Sequence, residues 1–293
     1  MPNTLPPLSD ISMQVHQALC EDLGLKITAD LTSHLDINQD ITAGLIPQDK
    51  TINAKVITRE DAVICGVEWA SQAFLQCDKD ITLKWHVIDG DLVSANNVLL
   101  EVNGNARAIL CAERTALNFL QMLSATATLT HQYTKCLAGT QTKLLDTRKT
   151  IPGFRLAQKY AVACGGGMNH RVGLYDAFLI KENHIHACGG IENAVRQAKL
   201  NHPNKPIEVE VESLDELKLA INAGVNTIML DNFSQDLILQ AVSINAGRCK
   251  LEVSGNITHE RLKELAKTGV DYISSGALTK HINAIDLSLI KQD

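Results

Sequence analysis

Residues 207–231, IEVEVESLDELKLAINAGVNTIMLD, contain the pattern that decides the fold. Its first and last five residues are rich in apolar and β-branched side chains, which is typical of short strands. Between these strands, Ser213 and Glu216 form a capping box that predicts the start of a helix, and Gly224 stands where that helix would end. A strand, a helix and a second strand in this order indicate a βαβ unit, because parallel strands need a helical crossover.

The same unit recurs from about residue 140 onward. Strands are predicted at 143–146, 177–181, 207–211, 227–231, 250–254 and 272–276, with helix ends at Gly247 and Gly269 as well. Successive strands begin 20 to 34 residues apart, the length of a βα unit and not of a hairpin. Nearly every strand ends in a polar residue. In a closed barrel all such ends meet at one rim, where active sites lie, so this pattern favours a barrel over an open sheet.

The first 105 residues have a mixed pattern. A helix is predicted over 10–23 with Asp10 as its N-cap. Short strands are predicted at INAKVIT (52–58), AVICGV (62–67), TLKWHVI (82–88) and VLLEVNG (98–104), with a turn at 89–91 before the last of them. The stretch from Ala106 to about Leu137 contains neither proline nor glycine, which predicts one long helix or two abutting ones. This helical stretch marks the expected domain junction.

Composition and charge exclude several classes of protein. The 293 residues are 45% hydrophobic and 20% charged, as in ordinary globular proteins. A net charge of -6 argues against a general binder of nucleic acid or of membrane surfaces. The eight cysteines form no C-x-x-C pair, which fits a reducing compartment. Neither a signal sequence nor an apolar run of about 18 residues is present, so we expect a cytoplasmic protein.

The predicted strand ends divide into two groups by charge. The basic group comes from the early strands and the loop between them, and consists of Arg148, Lys149, His170, Arg171 and Lys181. The acidic group, Glu210 and Asp231, comes from the middle strands. Arginine forks match carboxylates and phosphates, and two carboxylates beside a phosphate-bearing ligand suit Mg²⁺. The sequence therefore predicts a polyanionic ligand with a magnesium ion.

Two further stretches, LEVSGNI (251–257) and SSGALTK (274–280), end the last two strands in small residues. Small residues let backbone N–H groups approach a ligand, and the loops after the last two strands of barrel enzymes commonly bind a phosphate. We expect these loops to do so. Two other patterns are interpreted without a ligand: His184, His186 and Cys188 as loop residues, and Asp89 and Asp91 as turn formers rather than calcium ligands.

Seven stretches together resemble quinolinate phosphoribosyltransferase. They are ERTALNFLQ (113–121), DTRKTIPGFR (146–155), KYAVACGGGMNHRVGLYDAFLIKENHI (159–185), VEVE (209–212), IMLDNF (228–233), EVSGN (252–256) and GALTKH (276–281). The resemblance implies an α/β fold with two parts. One is an open-faced α/β sandwich domain over 1–115 with a C-terminal return over about 282–293, and the other is an incomplete TIM-like α/β barrel over 116–281.

The resemblance also implies an activity and a site. The family transfers phosphoribose from phosphoribosyl pyrophosphate to quinolinate with decarboxylation, giving nicotinate mononucleotide, pyrophosphate and CO₂ in NAD biosynthesis, and uses Mg²⁺. It implies that quinolinate is bound by Arg114, Arg148, Lys149, His170, Arg171 and Lys181, with Arg114 reaching the neighbouring subunit of a homodimer. It implies that phosphoribosyl pyrophosphate is bound by Lys149, Glu210, Asp231, Ser254, Gly255, Asn256 and Gly276. Of these, Lys149, Glu210 and Asp231 would be catalytic, and Glu210 and Asp231 would hold the metal.

Small departures from the family pattern occur at Ser275, where valine is more usual, and at Asn256, where many members have a second glycine. Three rival interpretations stay open. A Schiff-base barrel lyase would use Lys149 or Lys181 as its nucleophile. A paralogue of the same fold associated with molybdenum transport would share most motifs, and a non-catalytic phosphate-ligand binder would release no pyrophosphate.

Overall fold

The computed structural model describes residues 4–27, 35–255 and 257–292. These residues form two compact units. The first contains the described residues up to Leu129, together with Leu156–Gly165 and the residues from Ile282 onward. The second contains Thr130–Arg155 and Gly166–His281.

The first unit contains a four-stranded antiparallel sheet and a two-stranded one. The strands are β1 (Thr51–Thr58), β2 (Ala62–Val63), β3 (Thr82–Trp85), β4 (Leu92–Val93), β5 (Val98–Asn105) and β12 (Leu287–Lys291). The larger sheet has the order β12-β1-β5-β3, and β2 pairs with β4. Because β12 pairs with β1, the C-terminal segment returns to the sheet of this unit.

The helices of this unit are α1 (Leu8–Leu23), α2 (Val67–Cys77), α3 (Ala106–Lys135) and α4 (Arg155–Cys164), with 3-10 turns at Ile37–Gln39 and Ala43–Leu45. The last residues of α3, from Thr130 onward, already belong to the second unit. The predicted N-cap at Asp10 is wrong, because α1 begins at Leu8 after Pro7. Asp10 lies in the first turn, where its charge favours the helix dipole. The predicted long helix is confirmed as a single one, and the expected domain limit at 115/116 falls within it.

The turn at 89–91 contains a half-buried structural carboxylate. Asp89 Oδ1 accepts hydrogen bonds from the backbone N–H groups of Gly66 (2.8 Å) and Val67 (3.0 Å), at the start of α2. Its Oδ2 accepts one from the hydroxyl of Tyr160 (2.9 Å). Asp89 therefore satisfies N–H groups that would otherwise lack a partner at a helix start, and the expectation of a structural role in the turn is met.

The second unit is built on a six-stranded parallel sheet. Its strands are β6 (Lys143–Leu145), β7 (Phe178–Ile180), β8 (Ile207–Val211), β9 (Thr227–Asp231), β10 (Lys250–Ser254) and β11 (Tyr272–Ser274), in the order β6-β11-β10-β9-β8-β7. All six predicted strands are present, and β8 to β10 have the predicted limits. Among the described residues, the edge strands β6 and β7 do not pair with each other, so the barrel is incomplete, as predicted.

The helices of this unit are α5 (Glu182–Cys188), α6 (Ile191–Asn201), α7 (Leu214–Ala223), α8 (Gln235–Asn245), α9 (His259–Leu265) and α10 (Ala277–Lys280). The predicted N-cap Ser213 and C-terminal Gly224 of α7 are confirmed, because the Ser213 hydroxyl accepts the Glu216 N–H and Gly224 is left-handed. The second bond of the predicted capping box differs, since the Glu216 carboxylate accepts the N–H of Glu212 (2.8 Å) in place of that of Ser213. The predicted helix ends at Gly247 and Gly269 are wrong. Ala246 already ends α8 in the left-handed conformation, with Gly247 as the second left-handed residue, and α9 ends at Leu265.

The strand register decides which side chains share a face. In β8 to β10, Glu210 lies opposite Met229, and Asp231 lies opposite Ser254. Because alternate residues point to the same side of a sheet, one face carries Glu208, Glu210, Met229, Asp231, Glu252 and Ser254. The other face carries apolar residues such as Val209, Val253 and Leu230, each 0% exposed, and forms the core. The polar face is the foundation of the site.

Candidate active site

A cavity of about 840 Å³ lies in the second unit, at the carboxyl ends of the strands. This volume is in the range of small-molecule sites. Ten of the residues predicted from the sequence line it together: Arg148, Lys149, His170, Arg171, Lys181, Glu210, Asp231, Ser254, Gly255 and Gly276. The convergence of the strand ends is therefore observed, while the role of each residue stays a prediction.

Two of the predicted site residues are not found in this cavity. Arg114 is an exposed residue of α3 in the first unit and is not among the described residues that line it. Its action in a neighbouring subunit stays a prediction. Asn256 lies outside the described residues.

Two arginines give the cavity a positive charge that the protein does not neutralise. The Nε atom of Arg148 is buried without a hydrogen-bond partner, and no described residue forms an ion pair with its side chain. The Arg171 guanidinium donates to the carbonyl of Ala177 (3.3 Å). Burial, followed by the charge of the nearby Arg148, lowers the pKa of Arg171. The carboxylates of Glu208 and Asp176 act on Arg171 in the opposite direction, but neither forms an ion pair with it among the described residues. Two neighbouring guanidinium groups without a carboxylate in direct contact are suited to binding an anion.

The two predicted lysines differ in their partners. Lys181 forms a short ion pair with Glu210, so part of its charge is balanced within the protein. The ammonium group of Lys149 has neither a hydrogen bond nor an ion pair with any residue that the structure describes, although Lys149 lines the cavity. Of the two predicted lysines, Lys149 is therefore the one whose charge is available to a ligand.

His170 has both ring nitrogens engaged by the protein. Its Nδ1 accepts a hydrogen bond from the backbone N–H of Arg171 (2.8 Å). A nitrogen that accepts a hydrogen bond carries no proton, so the neutral ring is protonated at Nε2 and donates to Glu208 Oε2 (2.8 Å). The sequence groups His170 with the cations, whereas these hydrogen bonds make it a neutral donor.

His170, Glu208 and Glu252 form a cluster whose ligand atoms lie within 4.8 Å of one another, a spacing that could hold a metal. The proton on Nε2 argues against that interpretation, since a metal needs the lone pair of this nitrogen. Burial, followed by the charge of Glu208, raises the pKa of Glu252 to about 8. Glu252 therefore carries a proton at neutral pH. The proton gives a hydrogen-bond donor to the pair Glu208 and Glu252, whose Oε1 atoms are both buried without a partner.

The loops after β9 and β10 approach each other closely. Gly255 has φ +94°, and an added Cβ would lie 2.5 Å from Oδ1 of Asn232. Arg261 joins the same two loops, because its guanidinium donates to the carbonyls of Gly255 (2.9 Å) and Phe233 (3.3 Å). Glycine is required at position 255 by both its conformation and its neighbour.

Sequence reasoning gave no role to eight of the residues that line the cavity, which are Tyr133, Thr147, Leu179, Met229, Asn232, Thr258, His259 and His281. Six others were predicted only as members of the two expected phosphate-binding stretches: Glu252, Ile257, Ser274, Ser275, Ala277 and Lys280. Glu252 could have been found, because it precedes the predicted Ser254 by two positions in a strand and so shares its face. The residues that come from α3 and α9 carry no such signal.

Comparison with known proteins identifies the family. Models of the quinolinate phosphoribosyl transferase N-terminal and C-terminal domains match residues 30–124 and 126–290. The probable carboxylating nicotinate-nucleotide pyrophosphorylase of Bacillus subtilis is 39% identical over 85% of this chain and 87% of its own. The chloroplastic carboxylating enzyme of Arabidopsis thaliana is 38% identical over 97% of this chain and 83% of its own. The structure of the nicotinate-nucleotide pyrophosphorylase from Francisella tularensis matches with a TM-score of 0.92 and 51% identity, over 100% of this chain and 99% of that one. The chain belongs to the quinolinate phosphoribosyltransferase family.

Proposed function

We propose that this protein transfers the phosphoribosyl group of phosphoribosyl pyrophosphate to quinolinate, with decarboxylation, in the de novo synthesis of NAD. The products are nicotinate mononucleotide, pyrophosphate and CO₂. Family membership supports this reaction. The observation that carries it in the structure is the pair Arg148 and Arg171, which line one cavity with the unpaired Lys149.

The charge of the cavity fits the two substrates. Quinolinate has two adjacent carboxylates, and phosphoribosyl pyrophosphate adds a phosphate and a pyrophosphate. At an effective dielectric constant of about 20, a cation 4 Å from a carboxylate gains roughly 4 kcal/mol before the costs of desolvation. We assign Arg148, Arg171 and Lys149 to these anions. Lys181 joins them in the proposal through its position in the same cavity, although Glu210 already shares its charge.

Magnesium is part of the proposal because the acidic residues fit it. Glu210, the residue before the end of β8, and Asp231, the last residue of the neighbouring strand β9, both line the cavity. No described cation pairs with Asp231, whose Oδ2 accepts a hydrogen bond from Asn232 (2.9 Å). Mg²⁺ prefers a few carboxylate oxygens and takes its other ligands from water and substrate phosphates. When bound, it would help neutralise the departing pyrophosphate.

The reaction then needs mainly orientation and charge stabilisation from the protein. As pyrophosphate leaves, positive charge builds on C1 of the ribose, close to Glu210 and Asp231, and the pyridine nitrogen forms the new bond. The pyridinium ring withdraws electrons, so the bond to the carboxyl group beside the nitrogen breaks, CO₂ leaves, and the ring carbon takes up a proton. The arginines and Lys149 hold the reactants in place.

The proposal extends to assembly and location. A homodimer in which Arg114 enters the neighbouring site is supported by the exposed position of Arg114 on α3. Within the described ranges, no helix has both the length and the apolar character required to cross a membrane. All eight cysteines are free, which supports a reducing, cytoplasmic environment.

The test is an assay of purified protein with quinolinate, phosphoribosyl pyrophosphate and Mg²⁺. We expect release of both pyrophosphate and CO₂, and none of either when nicotinate replaces quinolinate. Equal release of pyrophosphate with nicotinate would contradict the assignment of two carboxylate-binding arginines. If neither quinolinate nor nicotinate leads to release of pyrophosphate or CO₂, the proposed reaction is contradicted and the paralogue or the non-catalytic binder is favoured.

A further inference from the structure

Lys149 is fixed at its backbone on both sides. It lies in the loop after β6, where its N–H donates to the hydroxyl oxygen of Thr147 (3.1 Å). Its carbonyl accepts a hydrogen bond from the hydroxyl of Thr279 in α10 (2.7 Å). The two threonines come from different parts of the chain, so the second bond joins the loop to the last helix of the barrel. The ammonium group, in contrast, is left without a partner among the described residues.

The side chain of Lys149 rests on Gly276, at the start of α10. Gly276 has φ -74° and ψ -12°, which any residue adopts easily, so its conformation does not require glycine. Space does require it. An added Cβ at this position would lie 2.9 Å from Cδ and 3.5 Å from Cβ of Lys149. The absence of a side chain at 276 therefore makes room for the stem of Lys149.

We propose that Thr279 is a positioning residue that, together with Gly276, directs the ammonium group of Lys149 toward the substrates. This inference rests on the proposed function, in which Lys149 binds the anionic reactants. Thr279 is 1% exposed and is not among the described residues that line the cavity, so it can influence the reaction only through its neighbours. Its hydroxyl lies 2.7 Å from the carbonyl oxygen of Lys149, closer than the 3.4 Å to the carbonyl oxygen of Gly276.

The physical reason is the flexibility of lysine. A lysine side chain is a flexible four-carbon stem, and an unpaired ammonium group has no contact of its own to hold it. A fixed backbone and a supporting surface restrict the positions that the ammonium group reaches before substrate arrives. Such restriction places the charge in advance, and a misplacement of about 1 Å can cost about 10²-fold in rate.

The first experiment compares Thr279→Val with Thr279→Ser. Valine keeps the shape of the side chain but removes the hydroxyl, whereas serine keeps the hydroxyl. We expect kcat/KM of the valine variant to fall by between about 10-fold and 100-fold and that of the serine variant to stay within about threefold of wild type. Equal rates for the valine variant and wild type would overturn the proposal. A wild-type protein without activity would instead contradict the proposed function.

A double-mutant cycle separates positioning from a general structural effect. If Thr279 acts through Lys149, replacing Thr279 by valine does not lower kcat/KM further when Lys149 has already been replaced by methionine. If the two replacements lower kcat/KM independently, so that their fold-changes multiply in the double variant, the proposal is overturned. If the Lys149→Met protein has no measurable turnover, the same double-mutant cycle is measured on the affinity for phosphoribosyl pyrophosphate, by calorimetry.

Gly276→Ala provides a second test of the proposal in case the Thr279→Val variant does not fold. Alanine is compatible with the backbone conformation of Gly276, and its Cβ meets the middle of a flexible side chain. The stem of Lys149 must move to admit this Cβ, so we expect a loss of kcat/KM that disappears in the Lys149→Met background, with the unfolding midpoint measured in parallel to show that the fold is kept. Full activity of Gly276→Ala would contradict the role assigned to the surface under Lys149.

Discussion

The protonated carboxyl group of Glu252 makes the stability of the barrel depend on pH, and Glu252→Gln should remove that dependence. Glu252 is 1% exposed, and its Oε2 lies 3.6 Å from Nε2 of His170, which also bonds Glu208. Burial and the charge of Glu208 raise the pKa of Glu252 from 4.5 to about 8. Glutamine resembles the protonated carboxyl in shape and in having both a donor and an acceptor, but it does not titrate.

The sign and size of the effect follow from the two pKa values. Because the pKa is higher in the folded state, the folded protein holds the proton more tightly than the unfolded chain does. Its contribution to stability is complete below pH 4.5 and is lost as the pH rises through about 8. An interval of about 3.5 pH units at 1.36 kcal/mol per unit corresponds to a total of about 5 kcal/mol. Between pH 6 and pH 9 the expected loss is roughly 2 to 3 kcal/mol.

The measurement is urea unfolding of wild type and Glu252→Gln at pH 6, 7, 8 and 9. Helical circular dichroism is the appropriate signal, because both tryptophans, Trp69 and Trp85, belong to the first unit and do not report on the barrel. We expect the free energy of unfolding of wild type, relative to the variant, to fall by roughly 2 to 3 kcal/mol from pH 6 to pH 9. Glu264→Gln, at an exposed position of α9, is the matched control and should show no such trend.

A constant difference between wild type and Glu252→Gln across this range would refute the reasoning. It would mean that Glu252 is ionised in the folded protein at neutral pH, and that the cluster has another source of positive charge. In that case the neutral state assigned to His170 would also fall, since a doubly protonated ring is the nearest alternative. The nitrogen shifts of His170 in an NMR spectrum would then decide between the two.

Three other changes test separate parts of the structure. Arg148→Ala should lower kcat/KM for quinolinate by an amount equivalent to about 2 to 5 kcal/mol, because the substrate carboxylate loses its partner, and near-normal turnover at low quinolinate would remove Arg148 from the pocket. Gly255→Ala should reduce the free energy of unfolding by more than Gly139→Ala does, since both glycines have positive φ but only at 255 would a Cβ collide with Asn232; equal losses in urea titrations would contradict this. Asp89→Ala leaves two N–H groups of the α2 start without their acceptor, and tryptophan fluorescence should report a loss of about 1 to 3 kcal/mol in the first unit.

The sequence predicts the barrel well because each βα unit carries local signals. Strands β8, β9 and β10 have their predicted limits, and the cap of α7 is formed by the predicted residues. Helix ends are less predictable where the first residue in the left-handed conformation is not a glycine. At the end of α8 the turn begins one residue earlier, at Ala246, and glycine takes only the second left-handed position. A glycine in the sequence therefore marks the region of a helix end, while the hydrogen bonds of the last turn decide its residue.

The site shows a similar division between what strand periodicity dictates and what depends on contacts across the barrel. Alternation within β8 and β10 places Glu208 and Glu252 on the polar face, so their presence near the cavity follows from sequence. Their ionisation does not, because it depends on their mutual distance and on which nitrogen of His170 holds the proton. That proton is assigned by a backbone N–H from Arg171, a contact that no residue pattern encodes. The charge that a ligand meets in this cavity is therefore set by the fold: counting basic residues at the strand ends treats His170 as a cation, and the proton that Glu252 keeps is visible only from its surroundings.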